Sequence, residues 1–101
     1  MFILQPKVLP SKGYNCIYLF GGGRLVKVGM TTNLISRDTK YKNLECLAYI
    51  GPIPSDRIRY EEFKLKQHFS QLFARYSGQE WFVVSRLSDA VYAFAMCSID
   101  L

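Results

Sequence analysis

Apolar residues recur at helical spacing from Ile58 through Leu65, Phe69 and Leu72 to Tyr76, and Glu62 fills the vacancy between the first two. A carboxylate on the inward face of a helix is costly unless it is protonated, paired or bound to a metal. Glu61 is adjacent but off that stripe, the weaker candidate. The bland reading is that the helix end overhangs the core and Glu62 reaches water. A second pair lies upstream, in two extended segments that meet around Gly21-Gly22-Gly23. With Gly22-Gly23 as a two-residue turn, Gly21 pairs with Arg24 and Tyr18 stands directly opposite Lys27. A cation there favours the phenolate of Tyr18, whereas a three-residue turn would separate the pair. Third, Arg37 and Tyr41 share one helix face, and a guanidinium is a planar fork suited to phosphate oxygens. An inert cross-strand pair and an exposed arginine resting on a tyrosine are the plain alternatives.

The elements that must hold these residues can be read along the chain. Tyr14 to Phe20 and Arg24 to Gly29 are strand-like, aromatic and β-branched, with a glycine turn between them. Thr31-Thr32-Asn33 offers helix caps, and a short helix runs to about Tyr41. Leu44 to Ile50 reads as a third strand, ended by Gly51-Pro52 and Pro54. Asp56 caps a long helix reaching about Tyr76, stopped by Gly78. Trp81 to Val84 is a short extended piece, and Ser88-Asp89 opens a last helix carrying Val91, Phe94, Ala95 and Met96 inward. The expected fold is α+β, an α/β-type sandwich: a small central three-stranded sheet, β-hairpin first, flanked by helices, in one domain over 1–101.

At 101 residues there is room for one domain, and with half the chain hydrophobic and 15% aromatic it can close a core. No apolar run is long enough to span a bilayer, and Met1–Leu4 is too short for the apolar region of a signal peptide. The expectation is a soluble, intracellular protein, cytoplasmic or nuclear. Cys16, Cys46 and Cys97 are scattered and His68 is the sole histidine, which gives neither a disulfide framework nor a zinc site. The formal charge of +5 concentrates its cations in mid-chain, from Arg24 and Lys27 through Arg37, Lys40 and Lys42 to Lys64 and Lys66. Such a face attracts phosphates or acidic surfaces, or is simply solvated.

Taken together, these residues resemble the GIY-YIG nuclease superfamily. Cys16-Ile17-Tyr18 stands in the place of GIY and Lys27-Val28-Gly29 in that of YIG. Val26-Lys27-Val28-Gly29-Met30-Thr31 then runs through a Thr/Asn turn into a helix bearing Arg37, as the family's essential arginine is borne. Glu62, followed by Leu65 and Phe69, resembles the metal-binding glutamate helix. Gln79-Glu80-Trp81-Phe82 is similar to the GEWF-type ending of a branch found in phages and fungi. The likeness covers Tyr14 to about Val84. It departs at Cys16 for the first glycine and at Lys27 for the YIG tyrosine. Some active members carry lysine there with a tyrosine four residues after the arginine, as Tyr41 stands here.

The resemblance implies an endonuclease hydrolysing phosphodiester bonds in DNA with one Mg²⁺ or Mn²⁺ ion. Glu62 would hold the ion, Tyr18, its proton affinity lowered by Lys27 or by the ion, would be the general base, Arg37 would neutralise the phosphate, and Tyr41 would orient phosphate or water. Asn33 and Glu80 are read as structural, a cap and a strand-end partner. Arg24, Lys40, Lys42 and Lys66 would contact nucleic acid through its phosphates. With no room for a recognition domain, specificity would come from a branched or nicked substrate, a homodimer or a partner protein. Two alternatives stand beside this: an idle nucleic-acid-binding module of the same fold, and a phage- or virus-encoded protein-interaction module.

Overall fold

Cys16-Ile17-Tyr18-Leu19-Phe20 is apolar at every position, which suits a strand only when both of its faces are covered. Both are. The computed structural model describes residues 1–97 and orders them as β1 (Phe2–Leu4), β2 (Cys16–Gly22), β3 (Leu25–Thr31), α1 (Leu34–Lys40), β4 (Glu45–Ile50), α2 (Ile58–Leu72), β5 (Ala74–Ser77), β6 (Trp81–Val83) and α3 (Leu87–Cys97). The class is α+β, and the sheet has six antiparallel strands in the order β1-β4-β2-β3-β6-β5 rather than the three expected. The extra strands are the short pieces β1 and β5 at the two edges and β6 just inside β5, of three or four residues each. Their pairing is set by distant partners, such as Phe2 opposite Ile50, more than by local composition.

One face of β2 and β3 carries Ile17, Leu19, Val26 and Val28 against Leu65 and Phe69 of α2 and Ala90, Ala93 and Phe94 of α3. The other carries Cys16, Tyr18 and Phe20 against Leu34 of α1, with Leu9 and Tyr14 of the N-terminal stretch packed beside them. In β4 a bulge opposite Leu19/Phe20 leaves Leu47 unpaired, so that Leu47 and Ala48 both join the first face.

Several sequence expectations are corrected. The turn of the first hairpin is Gly23-Arg24, with Gly22 opposite Leu25, so Tyr18 faces Gly29 and Lys27 faces Phe20. Gly23 has φ +61° and Arg24 is not in the positive-φ region, the pattern of a II′ turn with glycine first. A shift of two preserves parity, and Tyr18 and Lys27 still share a face.

The long helix ends at Leu72, with Phe73 extended (φ −130°, ψ 152°), and Tyr76 lies in β5, exposed. Gly78 serves the β5–β6 hairpin at φ +56° instead of stopping a helix, and Asp56 does not cap, the N-cap being Arg57 without a side-chain bond. Leu72 and, on α3, Met96 are turned out to solvent at 55% and 49% exposure. Asn33 does cap α1, its side-chain oxygen accepting from the Ser36 amide at 3.2 Å. Among the described residues no helix is long and apolar enough to cross a membrane.

Phe69 is fully buried, its ring 5.2 Å from Phe73 and 5.5 Å from Phe82, and it seals α2 to the sheet. Phe69→Ala is expected to cost about 3–5 kcal/mol. Denaturant unfolding should give a lower midpoint at unchanged slope; an unchanged midpoint would contradict this packing.

Candidate active site

The two residues at the centre come from the hairpin. Tyr18 of β2 and its neighbour across the strand, Gly29 of β3, leave no spare room: a Cβ on Gly29 would fall on the Tyr18 hydroxyl and ring. Glycine is thus needed here for close approach rather than for φ. From Tyr18 a line of rings continues through Phe20, Tyr41 and Trp81, with centroids 5.0, 5.7 and 5.8 Å apart. Tyr41 is placed by the end of α1, whose C-cap it is, and Trp81 by its position opposite Lys27 in the β3–β6 ladder.

Lys27 is only 5% exposed, and its ammonium lies 5.6 Å from the Tyr41 ring centroid and 5.2 Å from that of Trp81. Its charge is met by Glu80, at 2.6 Å from Nζ to Oε2. Glu80 also accepts from Lys66 through Oε1 at 3.3 Å, and Lys66 in turn meets Glu62 Oε1 at 3.1 Å. A chain of alternating charge, Lys27–Glu80–Lys66–Glu62, therefore joins the sheet to α2. These hydrogen bonds and charges, Lys27 first and Lys66 after it, hold the Glu80 carboxyl below the usual range against the opposing effect of burial.

A pocket of about 270 Å³ is lined by Tyr18, Lys27, Gly29, Met30, Arg37, Lys40, Tyr41, Glu62 and Glu80. All five residues singled out from the sequence for chemistry are in it, along with Lys40. Lys66 joins the site as a partner of both carboxylates. Arg24 and Lys42 do not line it. Arg24 sits in the exposed hairpin turn, its Nε donating to the Val84 carbonyl at 3.4 Å. Lys42 lines a separate, larger groove of about 580 Å³ with Gln5, Lys7, Asp38 and Glu45.

Two readings of charge change. Lys27 has its ammonium 2.6 Å from Glu80 Oε2 and does not figure among the charges that shift Tyr18. Burial first, and then the nearby Tyr41 and Glu80, push the Tyr18 hydroxyl well above the ordinary tyrosine value, and the cation that opposes them is Arg37. Glu61, set aside as off the stripe, is as buried as Glu62, at 7% against 9% exposure. It is paired with Lys64 at 3.3 Å and Arg57 at 3.8 Å and faces a different cavity, beside Ile17, Ile50 and Leu65. The buried sector of α2 is wider than one stripe because the helix packs on both the sheet and α3.

Sequence reasoning treated Glu80 as structural and Lys66 as a nucleic-acid contact. No local signal places Glu80 on Lys27, 53 residues away; it follows from the register of β6. None of the described cysteines lines the pocket, and burial pushes the Cys16 and Cys46 thiols up to about 12.

For a divalent ion of the Mg²⁺ type the donors are of the right kind: the Glu62 carboxylate at the pocket wall, with Glu80 across from it. Among the described residues no group of three or more His, Cys, Asp or Glu side chains gathers, so water and substrate would supply most of the ligands. Lys66 is the cation that an ion at Glu62 would have to displace or share with. The residues fit such an ion weakly held. Searched against protein-family models, curated proteins and solved structures, the chain matches none.

Two outcomes follow. Gly29→Ala should cost about 1–3 kcal/mol in denaturant unfolding, because Tyr18 has to leave its place; a variant of native stability would refute the close approach. The lowered Glu80 value makes its pairing a stabilisation that is present above the ordinary carboxylate value and lost as pH falls through the folded one. The thermal midpoint should therefore fall on acidification below about pH 4.5, and Glu80→Gln should flatten that fall. An equally steep fall in the variant would assign it to other carboxylates.

Proposed function

We propose that the protein is a metal-dependent endonuclease of the GIY-YIG type that hydrolyses phosphodiester bonds in DNA. The observation that carries this reading is the single pocket in which β2, β3, α1 with its cap, and α2 gather Tyr18, Lys27, Arg37, Tyr41 and Glu62. The likeness of motif order gives the same five residues in the same roles. Glu62 would hold Mg²⁺ or Mn²⁺, which when bound supplies Lewis acidity at the phosphate and charge for the departing 3′-oxygen. Arg37, without a carboxylate partner among the described residues, is available to neutralise the phosphate as its charge builds. Tyr18 would release its hydroxyl proton to solvent, a loss that Arg37 beside it favours, and the phenolate Oη would then accept the proton of the attacking water as the phosphorus–3′-oxygen bond breaks. Tyr41, in ring contact with Phe20 and Trp81, orients the phosphate or the water.

The raised Tyr18 and the neutralised Lys27 favour a second reading, a nucleic-acid-binding module of this fold that no longer cuts. It predicts salt-sensitive binding without hydrolysis. On the nuclease reading the substrate is DNA with a branch or a nick, bound as a monomer, a homodimer or with a partner protein.

Supercoiled plasmid and branched DNA incubated with Mg²⁺ or Mn²⁺ should be nicked, with no reaction in EDTA and none by Glu62→Ala. An active Glu62→Ala protein would remove the metal assignment. Binding without cleavage in every lane would select the second reading.

A further inference from the structure

The Glu80 carboxylate is held as a bridging anion. Each of its oxygens is taken by a different ammonium, Oε2 by Lys27 at 2.6 Å and Oε1 by Lys66 at 3.3 Å. The three partners are unequally fixed. The Lys27 side chain is 6% exposed and boxed by the Tyr41 and Trp81 rings, and that of Lys66 is 18% exposed and tied at 3.1 Å to Glu62. Glu80 is 46% exposed and lies between the turn glycine of the β5–β6 hairpin and the first residue of β6. Of the three, the anion is the one with open solvent beside it.

A buried ammonium without a counter-charge is strongly disfavoured, so Glu80 leaves readily only if another oxyanion enters. The surroundings favour such an exchange. Arg37 and Lys40 line the pocket of Lys27 and Glu80 and form no ion pair among the described residues, while Lys66 reaches Glu80 from a neighbouring groove beside Gln79. A phosphate presents two oxygens much as a carboxylate does, and lysine ammonium groups bind it as point charges.

We propose that Lys27 and Lys66 form a two-point oxyanion cradle in which the Glu80 carboxylate stands in for a phosphodiester of the substrate and gives way to it. Glu80 is then a positioning residue: it keeps both ammonium groups placed while the site is empty of substrate, and it competes with substrate for them. This deepens the nuclease reading and rests on it for the identity of the anion, whereas the cradle itself does not depend on cleavage.

The test is binding of two probes, inorganic phosphate and a short oligothymidylate, to the wild type and to Glu80→Gln at low salt without divalent metal. Both should bind the variant about tenfold more tightly, as when a competing charge is removed from a close pair. Lys27→Met in the Glu80→Gln background should abolish the gain. In the wild type, with no substitution to disturb folding, saturating phosphate should move the side-chain carboxyl ¹³C resonance of Glu80 toward that of a solvated carboxylate. Equal or weaker binding by Glu80→Gln, or an unmoved Glu80 resonance at saturation, would overturn the cradle. A gain for phosphate but not for the oligonucleotide would overturn the phosphodiester as its ligand. Absence of plasmid nicking alongside a gain for both probes would count against the nuclease and leave the cradle standing.

Discussion

A lysine ammonium lies almost out of reach of water on one face of the sheet, and much of the surrounding structure is arranged to make that tolerable. Lys27 belongs to β3 between Val26 and Val28, both fully buried on the other face, so strand alternation sends its side chain under α1. Isolated there, the charge would be prohibitive. It is met by a carboxylate and by two aromatic faces, and each comes from a different part of the chain: Glu80 and Trp81 from the start of β6, Tyr41 from the end of α1. The short strand β6 supplies both the ring opposite Lys27 and the carboxylate beside it, so three residues of ladder tie the hairpin edge to the charge it must neutralise. Breaking this arrangement by removing one partner leaves the other uncompensated, which makes it more consequential than its single salt bridge suggests.

The same accounting explains how α2 buries two adjacent carboxylates. Glu61 and Glu62 are about 100° apart around the helix, which directs them toward two separate cavities. Each meets a lysine about one turn further on, Lys64 for Glu61 and Lys66 for Glu62, so the helix carries its own counter-charges. The difference lies in what comes next. Glu61 ends in a local set with Lys64 and Arg57, whereas Lys66 hands the connection on to Glu80 and thus to Lys27. Only the second carboxylate is joined electrically to the sheet.

What was legible in the sequence was whatever a local pattern determines. The apolar runs give β2, β3 and β4, the Asn33 cap gives α1, and the vacancy in the helical stripe gives Glu62. What failed depended on choices that two conformations share. Gly78 was read as ending a helix and instead turns a hairpin, but both uses require positive φ, so the glycine alone cannot decide between them. Three successive glycines likewise allow the first hairpin to close one residue later than expected, which moves each cross-strand partner by two. Tyr18 and Lys27 remained on one face because strand periodicity is two, and the loss was confined to who stands opposite whom. Glu80 was invisible as a site residue for a different reason: its importance lies in a contact 53 residues away, and no periodicity encodes that.

Lys27, Glu80, Lys66 and Glu62 are matched among themselves, and this bears on how the site could act. Tyr18 is held protonated, Lys27 and Lys66 are each given a carboxylate, and Glu62 is paired through one oxygen. Such a resting state leaves none of these four buried or half-buried charges without a partner, yet it offers no ready base, and the cations left open are Arg37 and Lys40. On the nuclease reading, the charges that upset the balance have to arrive with the reactants. A phosphodiester competes with Glu80 for the lysines, and a divalent ion competes with Lys66 for Glu62. The two competitions reinforce each other, since an anion that draws Lys66 away from Glu62 frees the carboxylate for the cation. A site neutralised from within would remain silent until both charges are present, and the Lys66 link between Glu80 and Glu62 is what makes the two arrivals depend on each other.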